Sequence, residues 1–90
     1  MESKEAFEKA EKEIQVLRDV IKRRVSPPSP YTVEEQLPGI ETSVWVEISN
    51  SQTSSYIDSV ILECIKEAKF EVVYINSRHD TVKIIAHKLL

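Results

Sequence analysis

Thr81-Val82-Lys83-Ile84-Ile85-Ala86-His87-Lys88-Leu89 is the stretch on which the fold turns. Val82, Ile84, Ile85 and Ala86 place apolar residues on both sides of the strand alternation, the pattern of a strand covered on both faces and therefore central in a sheet. Just before it, Ser77-Arg78-His79-Asp80 reads as a polar hairpin turn, and Phe70 to Asn76 as the strand joined through that turn. Further upstream, Ile57, Val60, Ile61, Cys64, Ile65 and Ala68 form one wide apolar helical stripe. Ser55, three residues ahead of Asp58, is a capping-box variant at its start. Val44, Val46 and Ile48 alternate with Trp45, Glu47 and Ser49, the period of a strand. A strand, a crossover helix and a hairpin allow two sheet orders. The central character of 81–89 selects the split one, with the third strand between the other two and antiparallel to both. The expected fold class is α+β: an N-terminal helix, then a β-α-β-β unit with a three-stranded sheet and one helix on one face. The opposite face then carries several of Trp45, Phe70, Val73, Ile75, Ile85 and Leu89, and needs cover from the first helix or another subunit.

Ser3 to Arg24 has no Pro or Gly and is rich in Glu, Lys and Ala, all strong helix formers. Glu2, Glu5, Glu8, Glu11 and Glu13 lead, while Arg18, Lys22, Arg23 and Arg24 trail, which suits the helix dipole at both ends. Ser26-Pro27-Pro28-Ser29-Pro30 stops the helix, and Pro38-Gly39 reads as a turn. The predicted division is a charged heptad helix over 1–25, a Pro-rich linker over 26–41 and a small domain over 42–90. Phe7, Ala10, Ile14, Leu17 and Ile21 recur at spacings of three and four, a seam able to lie against another helix. In that register Glu13 and Arg18 fall at g and e, as an opposite-charge pair across a parallel dimer. The expected interface is therefore Phe7, Ala10, Ile14, Leu17, Ile21, Glu13 and Arg18, with Trp45 from the sheet. The alternative use of the same stripe is to fold back on the chain's own sheet.

Ninety residues with a formal charge of −3 suit one small domain and give no general attraction to nucleic acid or membrane. A single cysteine, Cys64, excludes an intrachain disulfide and a thiolate metal cage, and its place in the apolar stripe marks it as a core residue. No apolar run is long enough to span a bilayer. The expected location is intracellular, nucleus or cytoplasm. His79 beside Asp80 invites an acid–base role, but adjacent residues usually point apart and no nucleophile accompanies them. His87 reads as a strand histidine, and Lys22-Arg23-Arg24 as a solvated helix end rather than a phosphate contact. One glycine in the whole chain builds no phosphate-cradling loop. No catalytic, cofactor or metal residue is assigned and no cofactor is expected. The function predicted from the residues is non-enzymatic association, with itself or a related protein. The alternative is a small nucleic-acid-binding or inhibitor protein acting through the uncovered sheet face.

Leu37-Pro38-Gly39-Ile40-Glu41, the strand Val44-Trp45-Val46-Glu47-Ile48, the strand Glu71-Val72-Val73-Tyr74-Ile75-Asn76-Ser77 and its partner from Thr81 to Ala86 together resemble the C-terminal ACT-like region of plant basic helix-loop-helix transcription factors. In that family a leucine-rich helix and a polar linker precede the ACT-like unit. The resemblance implies dimer choice within a nuclear transcription regulator. It also implies ligand sensing, for which the family's Gly-containing loop has no counterpart in this sequence. The family's unit has six elements, of which β-α-β-β accounts for four, and the DNA-contacting basic region has no counterpart here.

Overall fold

Two helices and four strands follow one another as α1 (Glu2–Arg24), β1 (Tyr31–Gln36), β2 (Ser43–Asn50), α2 (Ser59–Glu67), β3 (Glu71–Arg78) and β4 (Thr81–Leu89). The computed structural model describes residues 2–25, 30–36, 42–50, 59–78 and 81–90. The prolines at 27 and 28, the segment 37–41, the helix start at Ser55, Ile57 and Asp58, and the His79–Asp80 turn lie outside the described residues.

The strands form one antiparallel sheet in the order β1-β2-β4-β3. β4 lies between β2 and β3 and runs antiparallel to both, where the two-sided apolar pattern of 81–89 places it. The expected three-stranded sheet is corrected to four by β1, which pairs with β2 from Tyr31↔Asn50 to Gln36↔Trp45. Its sequence, YTVEEQ, holds only two large apolar residues, and Val33 alone is buried. An edge strand covered on one side needs little more than that, so this one is easily taken for linker. The Pro-rich linker predicted over 26–41 accordingly contains a strand. The second predicted strand is also longer than read, since β3 takes in Ser77 and Arg78.

Side chains of β2 alternate strictly. Val44, Val46 and Ile48 are at most 2% exposed, while Ser43, Trp45, Glu47 and Ser49 are half-buried on the opposite face. Both helices cover the first of these faces. α1 packs over β1 and β2, and α2 lies beside α1 on the β3 side. Ala10, Ile14, Leu17, Val20 and Ile21 of α1 join Ile61, Cys64 and Ile65 of α2, and Val33, Val46, Ile48, Val82, Ile84 and Ala86 of the sheet, in one core. The heptad seam is thus occupied within the chain. A stripe at spacings of three and four fits a sheet as well as it fits a second helix. Only residues 25–30 separate α1 from β1, so the chain's own sheet meets the stripe at a far higher effective concentration than a partner would.

Charge ties the two helices together at their ends. Arg24 reaches both Glu63 (2.6 Å) and Glu67 (3.0 Å), and Arg23 reaches Glu67 (3.3 Å). The hydrogen bond to Glu63, then that to Glu67, raises the Arg24 pKa above its ordinary value. The basic end of α1 therefore serves an interhelix contact. Being largely exposed, these pairs orient the helices more than they stabilise them.

α2 ends in a Schellman motif. Lys69 has φ of 68°, the Phe70 amide donates to the Ile65 carbonyl and the Lys69 amide to the Lys66 carbonyl, and the Phe70 and Ile65 side chains are both buried. A lysine in the left-handed region is strained where glycine is not. Lys69→Gly is expected to raise stability by about 1 kcal/mol, read as a higher urea midpoint at unchanged slope.

Candidate interaction site

With both helices on one side, the other sheet face is bare among the described residues, and its cross-strand rows follow from the register. One row runs Gln36, Trp45, His87, Glu71 and the next Glu34, Glu47, Ile85, Tyr74. Thr32, Ser49, Lys83 and Asn76 form a third. The Trp45 and His87 rings stack with centroids 4.7 Å apart at 28°, and the Trp45 Nε1 donates to Ser43 Oγ at 3.0 Å. His87 Nε2 lies 3.4 Å from Glu71 Oε1. Glu47 accepts from Ser49 Oγ at 3.3 Å and lies 4.0 Å from Lys83 Nζ. The face is a mosaic of an aromatic–imidazole stack, the exposed Tyr74, the aliphatic Ile85 and Leu89, and charges of both signs.

β1 and β3 are the two edges of the sheet, and they differ. β1 carries Glu34 and Glu35, and Arg18 on α1 donates to the Val33 carbonyl at 2.8 Å. Charge and a side-chain donor are common ways of blunting an edge. β3 instead exposes three consecutive large apolar side chains, Val73 (49%), Tyr74 (56%) and Ile75 (39%). A bulge between Val72 and Tyr74 interrupts its pairing with β4. Leu62 on α2 is also exposed. Because Glu63 and Glu67 turn towards α1, helical geometry turns Leu62 the other way, to the β3 side.

The residues expected at an interface are therefore dispersed. Ala10, Ile14, Leu17 and Ile21 are buried in their own chain's core. Within the chain, Glu13 pairs with Lys88 of β4, and Arg18 donates to the Val33 carbonyl. Phe7 remains outward, 46% exposed, and Trp45 lies half-buried on the bare face. Of the apolar residues expected on that face, Phe70 is instead in the core, and Ile75 pairs with the helix-facing Ile84. Val73 and Ile75 are expected from sequence on the uncovered face; the structure places them with Tyr74 along the β3 edge instead. Its signal is Val72-Val73-Tyr74-Ile75, an apolar run without alternation, which by itself reads equally as a buried strand.

Among the described residues, no group of three or more His, Cys, Asp or Glu is placed to hold a metal ion, and no helix is long and apolar enough to cross a membrane. Searches of family models, curated proteins and solved structures find no match to this chain.

Proposed function

We propose that this chain is a non-enzymatic protein–protein interaction module that self-associates through its sheet rather than through its first helix. The observation that carries the reading is the exposed apolar run Val73-Tyr74-Ile75 on an edge strand. An edge of that composition, unpaired among the described residues, readily recruits another chain. The ACT-like regulatory role in a nuclear transcription factor is part of this proposal and rests on the sequence resemblance alone. The chemistry at His87 fits a binding surface, since its ring is held between Trp45 and Glu71.

The competing role, nucleic-acid binding on the bare face, calls for a basic platform. Glu34, Glu47 and Glu71 stand on that face against Lys83 and the position of Arg78, with Glu34 directly opposite Glu47. Such a face repels phosphates as much as it attracts them, which favours a protein partner. Light scattering over a dilution series tests the proposal. A dimer mass at tens of micromolar that falls towards the 10.3 kDa monomer on dilution is expected, and a monomer throughout overturns it.

A further inference from the structure

We infer that the partner on β3 is β3 of a second copy, paired antiparallel about a two-fold axis at Ile75, so that two four-stranded sheets join into one continuous sheet. The inference rests on the self-association proposed above and specifies its site and register.

Facing permits this register, charge selects it, and a residue beside the strand agrees with it. The first observation is facing. In β3, Glu71 and Tyr74 pair with the bare-face residues His87 and Ile85, while Val72 and Ile75 pair with the helix-facing Ala86 and Ile84. The bulge is what allows two bare-face residues to be separated by three positions. In a two-fold pairing each residue must meet one that points to the same side of the joined sheet. Placing Ile75 opposite Ile75 puts Tyr74 opposite Asn76. The bulge then sets Val72 and Val73 together against position 77, and Glu71 against position 78. Facing is matched throughout, with the bulge supplying a one-residue correction, as it is for any two-fold centred on a residue, so the choice of Ile75 rests on charge.

The second observation is charge. The sequence puts an acidic residue at the first position of β3, Glu71, and a basic one at the last, Arg78, so antiparallel pairing sets positions of opposite charge across from one another at both ends, while a parallel pairing would set like against like. Opposite charges across a strand pair are favourable and like charges unfavourable. The third observation lies beside the strand. Leu62 and Ile75, both exposed in the single chain, stand on the helix side of the β3 edge, where the two-fold brings each towards its counterpart. The other edge offers no such complement, since β1 carries Glu34 and Glu35 and is met by Arg18.

Cysteine cross-linking reads the register directly. Residues opposite one another in an antiparallel pair have Cα atoms about 4.5–5.5 Å apart, within reach of a disulfide. Ile75→Cys, oxidised with oxidised glutathione, is expected to give a covalent dimer, while Thr32→Cys on β1 gives none. The native Cys64 is buried, so the unaltered chain is the blank. In parallel, Glu71→Arg or Arg78→Glu alone should weaken dimerisation about tenfold, and the two together should restore it to within about threefold. A chain that dimerises in light scattering but cross-links through Thr32→Cys and not through Ile75→Cys overturns the β3 assignment while leaving self-association standing. A dimer indifferent to both charge reversals overturns the register. A chain that stays monomeric overturns both this inference and the function beneath it.

Discussion

Leu17→Asp is expected to unfold the whole molecule. Leu17 is fully buried, in a core shared by both helices and the sheet. Removing a buried leucine side chain costs about 2–5 kcal/mol, and an unpaired carboxylate in its place adds several more unless it takes up a proton. A domain of this size has about 5–15 kcal/mol of stability in total, so the substitution consumes most or all of it. The expected result is loss of the cooperative thermal transition, seen together in the helical circular dichroism signal and in Trp45 fluorescence. The shared fate of the two probes is the informative part. If α1 were an appendage on a self-sufficient sheet, the helical signal would fall while Trp45, on the far face, kept its native emission. That outcome would contradict the packing of α1 over β1 and β2.

The same residue shows what the sequence makes legible and what it does not. The spacing of Ala10, Ile14, Leu17 and Ile21 specifies a helix with one buried stripe, and that stripe is buried. Periodicity reports that a face is covered. It carries no information about whether the cover belongs to the same chain, because a sheet and a second helix present similar apolar surfaces to it. β4 was the most legible element for a related reason: Val82, Ile84, Ile85 and Ala86 constrain both faces at once, which only an interior position satisfies. β1 was the least legible, since an edge strand buries one side and donates to one neighbour. The exposed β3 edge is harder still. Val73, Tyr74 and Ile75 are apolar in sequence whether they are buried or exposed, and their exposure follows from the strand order, which is a property of the whole sheet.

Ile75→Asp is expected to abolish self-association while leaving the single chain folded. Ile75 is 39% exposed before any partner binds, so the monomer loses about 1 kcal/mol, mostly strand preference. In the two-fold pairing inferred above, however, two aspartates stand directly opposite one another. Each loses water on association without gaining a donor, at a cost of about 1–3 kcal/mol apiece, and their like charges add to it. A total near 3 kcal/mol corresponds to at least about a hundredfold loss of affinity. Light scattering should then return the monomer mass at concentrations where the unaltered chain is dimeric. The melting temperature should also cease to rise with protein concentration, as mass action requires once no dimer forms. Thr32→Asp, on the opposite edge, separates a specific effect from a general one. It places a charge on an equally accessible strand and should leave the association constant within about twofold, because a solvated surface charge away from an interface alters binding little. Equal losses from both substitutions would mean that added negative charge alone drives the copies apart, and that the β3 edge is not where they meet.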